Sequence, residues 1–212
     1  MVAFKRKCGS LSKRAVGPKA RLWMNTPAHL LLGAAAFGDP DRRWTTSAAL
    51  LGALAPDLSL YLMAGFSLVI LQIPPQVVFD ELYFSDAWQS VFAVDNSFVL
   101  WGAAMVLAMW RGRPWMVAFC GAALVHLLTD FGLHNGDARP HFWPISDWRF
   151  ISPFSYWESG HGAQIIAPLE GILCLILLAI LWQRYRAIAY RLMFIVLVVL
   201  EAFVIRSWLL LF

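Results

Sequence analysis

His126 and Asp130 stand four residues apart in LVHLLTDFGLH (124–134). On a helix they share one face, about 6 Å apart. An imidazole and a carboxylate at that spacing can ligate one metal ion, or act as a ligand and the group that orients it. His134 lies four residues further on, and Asp137 and His141 follow, so three of the chain's five histidines fall within sixteen residues. Gly132 is expected to end the helix before His134. Other ionisable side chains stand alone in apolar surroundings: His29 in TPAHLLLGAAAFG (26–38), Asp57 after Pro56, and Glu170 two residues after Pro168. The expected metal ligands are His29, Asp57, His126, Asp130, His134 and His141. Histidine and carboxylate ligands without cysteine suit Zn²⁺, with Mn²⁺ or Fe²⁺ as alternatives. In WESGHG (157–162), Glu158 is the candidate general base for a metal-held water, and His161 the candidate acid or oxyanion stabiliser.

Each residue also has a plainer reading. Asp57 can cap the second half of a helix interrupted at Pro56. Glu170 can bond a carbonyl freed by Pro168 or snorkel to the membrane surface. Glu201 and Arg206 are expected to satisfy each other.

The elements that carry these residues are apolar. The 212-residue chain is 60% hydrophobic and 14% charged, with a mean hydropathy of +0.63, whereas soluble domains carry about 25% charged residues. A spanning helix needs ~20 mostly apolar residues. The sequence therefore reads as one all-α, polytopic transmembrane helical bundle of about five to six membrane helices. Apolar runs cover 26–38, 46–73, 97–110, 114–131, 163–183 and 192–212. The first is short, with Thr26 as its cap and Pro27 in its first turn. The second is expected to break at Pro56. Residues 74–96 read as a loop. Residues 132–162 read as a long structured loop, a lid, because it is dense in aromatics, Trp143, Trp148, Tyr156 and Trp157 among them.

Residues 1–23 are basic, lack the apolar core of a signal peptide, and read as a disordered extension, with Met24 as a possible true start. The single membrane-embedded domain is then 24–212. Cys8, Cys120 and Cys174 form no paired motif. The sequence pI of 9.2 does not imply nucleic acid, because seven of seventeen basic residues lie in 1–21 and most others cap apolar runs.

Depth along each run ties the constellation together. Helical rise places His29 ~15 Å from the turn at Asp39, Asp57 ~20 Å from Trp44, His126 ~20 Å from Arg113 and Glu170 ~21 Å from Arg184. Four segments thus bring an ionisable group to one level, where an unpaired charge is costly and must face the bundle interior. The turns at 39–44, 111–113 and 184–191 carry seven arginines, and the long loops only Arg139 and Arg149. The positive-inside rule puts the arginine turns in the cytoplasm and the site towards the extracytoplasmic side. The basic extension fits that orientation only if the first helix dips into the membrane or the extension is not native.

In these residues the chain resembles the LexA-regulated, inner-membrane metal-dependent hydrolase family, small polytopic bacterial proteins. The resemblance covers about 25–183. It rests on the early helix with His29, on Pro56-Asp57, on His126-Leu-Leu-Thr-Asp130 and on Trp143-Pro144. It implies a multi-pass inner-membrane protein that binds a divalent metal through such His and Asp residues. Two positions depart from the pattern. Ser59 stands where the family commonly has a second Asp, and FAVDNSF (92–98) replaces an HRG-x-x-H stretch. If that stretch supplies ligands in the family, this chain has lost them or replaces them with Asp95 or with the loop residues His134, His141 and His161.

The expected activity is hydrolysis of an ester, phosphoester or amide in a lipid-like or membrane-delivered small molecule by a metal-activated water. Membrane lipids and that substrate are the expected partners, with no nucleic acid. Two rivals use the same residues: a metal or proton transporter, disfavoured by the lack of an inverted repeat, and a non-catalytic membrane scaffold. No GxSxG, Walker A or GxGxxG pattern is present.

Overall fold

The computed structural model describes residues 25–42 and 44–209. The extension at 1–23 and the start at Met24 lie outside the described residues. Among these the chain is all-helical, with no strand. The helices are α1 (Thr26–Phe37), α2 (Thr45–Gly65), the one-turn α3 (Pro75–Val77), α4 (Asp86–Asp95), α5 (Phe98–Trp110), α6 (Pro114–Leu133), α7 (Ala163–Arg184) and α8 (Ile188–Leu209). Five helical stretches are long and apolar enough to cross a membrane: Thr45–Ile70, Asp86–Trp110, Pro114–Leu133, Ala163–Arg184 and Ile188–Ser207. Their outward faces carry large apolar side chains such as Val69, Val106, Ile165 and Ile188. These are the marks of a multi-pass membrane protein.

α2 packs on α6, and α1 sits among α2, α6, α7 and α8. Small residues allow the close approach. A Cβ at Gly52 would stand 2.0 Å from Phe119 O on α6, and one at Gly33 would stand 2.7 Å from Ala53 Cβ. Ala48, Ala49, Ala53, Ala118 and Ala122 fill the rest of the α2–α6 seam. Helices in a bilayer gain little from burying apolar surface, so such backbone-to-backbone packing is what holds them together. A second cluster, with Leu31, Leu181, Tyr185 and Phe194, joins α1 to α7 and α8.

Several sequence expectations need correction. α2 is continuous through Pro56, whose ring is fully buried, and runs on as a π-helical turn at Phe66–Ile70. Neighbouring helices hold the chain helical although the proline lacks a donor, and the Pro56 carbonyl takes Asn96 Nδ2 at 3.5 Å. Residues 74–96 are not a loop. They form α3, a π-helical turn at Val78–Leu82, and α4, packed on the end of α2 through Leu60, Phe79, Trp88 and Phe92. α6 runs past Gly132 to Leu133, which leaves His134 one turn beyond Asp130.

Thr26 does not cap α1. Asn25 precedes the helix, and the first-turn N–H of Ala28 bonds Glu201 Oε2 at 3.2 Å. Glu201 is therefore held by the positive end of α1 rather than by Arg206, which is exposed. Asn25 Nδ2 donates to Glu170. Two carboxylates from α7 and α8 thus anchor the start of the helix that carries His29.

Candidate metal centre

His29 on α1, Asp57 on α2, and His126 and Asp130 on α6 meet where the three helices touch, and His134 joins them from the end of α6. All five are buried, between 1% and 7% exposed. The rings of His29 and His126 stack at 3.8 Å, 17° from parallel. Each directs Nε2 at a different oxygen of one carboxylate: His29 at Asp130 Oδ1, 3.2 Å, and His126 at Asp130 Oδ2, 3.1 Å. His134 Nε2 reaches Asp130 Oδ1 at 3.4 Å, and Asp57 Oδ1 lies 3.7 Å from His126 Nε2. Donor atoms of His29, His126 and Asp130 fall within 4.8 Å of one another, as ligands of an ion would.

The outward nitrogens fix the tautomers. His126 Nδ1 lies 2.6 Å from Ala53 O, and a carbonyl only accepts, so Nδ1 carries the proton. His134 Nδ1 donates to Asp137 Oδ2 at 2.9 Å. Thr129 Oγ1 lies 2.7 Å from His126 O and 3.1 Å from His29 Nδ1, and so holds the His29 ring with its Nε2 turned inward. Where the rings of His126 and His134 are neutral, their Nε2 lone pairs point inward at an acceptor-only carboxylate; where they are protonated, Nε2–H donates to it. Asp130 Oδ1, though buried, has no hydrogen-bond partner among the described residues. Imidazoles and carboxylates converging in this way require positive charge between them, as protons or as a cation. A divalent cation fits this donor set, and the outward bonds are those that orient metal-ligating histidines.

Supporting contacts extend the cage. Thr26 Oγ1 donates to Asp57 Oδ2 at 2.6 Å and accepts from Tyr61 OH at 2.8 Å. Beyond His134, Asp137 Oδ2 also receives Tyr83 OH at 3.4 Å, and Tyr83 takes Arg139 Nη2 at 2.6 Å. The Arg139 guanidinium lies over the Tyr83 and Phe92 rings at 4.8 and 4.2 Å, clamping the loop to α4. The charge demand shows at His134. Burial disfavours its cation, but the carboxylates of Asp137 and Asp130 outweigh burial and raise its pKa to about 10 in the chain alone. Asp137 is held below its usual value because His134 and Arg139 overcome the effect of burial. Tyr156, 2% exposed, is pushed up by burial and then by Asp130.

The loop at 134–158 folds over the cage. Ser152 N bonds His134 O at 3.0 Å, and Tyr156 N bonds Leu133 O at 3.2 Å. Tyr156 packs edge-on to His29 and His134, and Trp157 edge-on to His134. A small cleft remains, lined by Asn25, His29, Asp57, Asp130, His134, Tyr156 and Trp157.

Three expected site residues lie elsewhere. His141 does not join the cage. Its Nδ1 bonds Asn96 O at 2.8 Å and its ring is wedged against Phe98 and Phe131. Glu158 and His161 do not line the cleft. Glu158 Oε1 takes Gly136 N at 2.9 Å, while its other oxygen lies 3.9 Å from a His161 ring that is 39% exposed. Glu170 reaches the right depth but turns to Asn25. Sequence reasoning missed Thr129, Thr26 and Ala53 as orienting groups. Thr129 had a faint signal, sitting within one turn of both His126 and Asp130. The Ala53 carbonyl had none.

Comparison with family models, with curated proteins and with solved structures finds no match to this chain.

Proposed function

We propose that this protein is a membrane-embedded, metal-dependent hydrolase acting on an ester, phosphoester or amide bond of a lipid-like substrate. The observation that carries the reading is the inward convergence of His29, His126 and His134 Nε2 on the carboxylate of Asp130, whose buried Oδ1 has no hydrogen-bond partner among the described residues. His29, His126 and Asp130, with His134 and Asp57 beside them, would form the metal-binding donor set, with Zn²⁺ the first candidate and Mn²⁺ or Fe²⁺ the alternatives. A divalent cation there supplies a Lewis acid and a water acidified to a pKa of about 7. The chain's own groups supply the rest. Thr129, Ala53 and Asp137 hold the imidazoles, Asp57 offers a carboxylate at the cleft wall, and Tyr156 and Trp157 shield the site from bulk water.

The placement among apolar helices favours an amphiphilic substrate. The arginine-rich turns support an orientation with the cleft towards the extracytoplasmic side of a bacterial inner membrane. The test is elemental analysis of the purified chain, with a panel of fluorogenic lipid esters, phosphoesters and amides. Bound transition metal, together with turnover abolished in Asp130→Asn, is expected. Metal-free protein that is folded and inert, or zinc flux across proteoliposomes without turnover, would refute hydrolysis.

A further inference from the structure

The cage has more donors than one ion can use. A zinc sits ~2.0–2.2 Å from nitrogen and oxygen ligands. An ion shared by His29, His126 and Asp130 would leave His134 Nε2 and Asp57 Oδ1 facing the cluster. Each of these is held in place from outside. His134 is fixed through Nδ1 to Asp137 at 2.9 Å, and Asp57 through Oδ2 to Thr26 at 2.6 Å. The donors sort into two sets by the Asp130 oxygen they face. His29 Nε2 and His134 Nε2 lie 3.2 and 3.4 Å from Oδ1. His126 Nε2 lies 3.1 Å from Oδ2 and 3.7 Å from Asp57 Oδ1.

Resting on the metal-site reading above, we infer that Asp130 is a bridging carboxylate between two divalent cations. One cation is held by His29, His134 and Asp130 Oδ1, the other by His126, Asp57 and Asp130 Oδ2. Two-metal centres keep their ions ~3.5–4 Å apart, and the stacked rings that would each carry one ion, with centroids 3.8 Å apart, send Nε2 to different oxygens of Asp130. Near-parallel imidazoles aimed at opposite oxygens of one carboxylate are what such a bridge requires. Buried Oδ1, lacking any hydrogen-bond partner among the described residues, marks the first position independently of the ring geometry. Each ion would have three protein ligands, which leaves positions open towards the cleft under Tyr156 and Trp157.

The test uses the full chain in detergent, stripped with chelator, reloaded with Mn²⁺ and desalted. Metal is counted by elemental analysis, and low-temperature EPR reads the coupling between ions. Two Mn²⁺ per chain with an exchange-coupled spectrum are expected. His134→Gln and Asp57→Asn should each retain one ion and show the hyperfine sextet of isolated Mn²⁺. His161→Ala, outside the cage, should keep two. One ion per wild-type chain with an uncoupled sextet would overturn the binuclear centre and leave the hydrolase reading standing. No bound ion would overturn both. Two ions with uncoupled spectra would overturn the Asp130 bridge. The wild-type count and spectrum decide the matter even where a variant fails to fold.

Discussion

Gly52→Ala tests how the helix seam controls the cage. The added Cβ would stand 2.0 Å from Phe119 O, 2.7 Å from Phe119 C and 2.8 Å from Phe119 Cα, all of them backbone atoms on α6. Favourable non-bonded separations begin near 3.5 Å. No side-chain rotation relieves the clash, so α2 and α6 must part by about 1 Å or more at this crossing. The next residue on α2 is Ala53, whose carbonyl holds His126 Nδ1 at 2.6 Å. Adding ~1 Å carries that bond to about 3.6 Å, outside hydrogen-bonding range. Overpacking costs ~1–3 kcal/mol, and stranding a buried donor costs ~1–3 kcal/mol more. A loss of ~2–4 kcal/mol follows in the metal-free protein if the two partly overlap. A misoriented His126 also weakens zinc binding by about 10- to 100-fold. Thermal unfolding in detergent reads the first effect, and competition with a chromophoric chelator reads the second. Gly102→Ala on α5 is the control, since its Cβ meets nothing within 4 Å; it should be neutral or slightly stabilising through helix propensity. Equal stability of the two variants, or wild-type zinc affinity in Gly52→Ala, would refute the reasoning.

Thr129→Val keeps the shape of the side chain but removes the hydroxyl partner of His29 Nδ1; zinc affinity by chelator competition should fall about 10- to 100-fold, while Thr129→Ser stays near wild type. Stripping metal should lower the unfolding midpoint, because an ion at 100 times its Kd stabilises the fold by about 2.7 kcal/mol; calorimetry with and without EDTA should show no such difference in Asp130→Ala. His141 is driven below its usual value, chiefly by burial and only partly offset by the Asn96 carbonyl, so the unfolded chain takes up its proton first. Stability should therefore fall as pH drops below about 6.5, the unfolded value; denaturation from pH 8 to 5 should show a shallower decline in His141→Gln.

The sequence was most informative where a helix supplies the geometry. His126 and Asp130 share a face because four residues make roughly one turn, and they do meet at 3.1 Å. Depth from the arginine turns brought His29 and Asp57 to the same level, and both arrive. Depth is only one coordinate. Glu170 has it too, yet its direction around α7 turns it to Asn25, and that direction depends on helix crossings no single segment encodes. The loop histidines were harder still. His134 joins the cage because α6 continues through Gly132, whereas His141 is carried by irregular backbone to Asn96. Pro56 and residues 74–96 misled for a related reason: packing by neighbours overrode the local signals for a break and a loop.

Thr129 bears a consequence of another kind. Its hydroxyl, bonded to the His126 carbonyl and to His29 Nδ1, turns the other nitrogen of His29 towards Asp130. The orientations of both stacked rings are thus set when α1, α2 and α6 pack, before any ligand arrives. A cage preorganised in this way loses little conformational freedom on capture. The fold bears the cost instead, keeping acceptors crowded together until a cation relieves them.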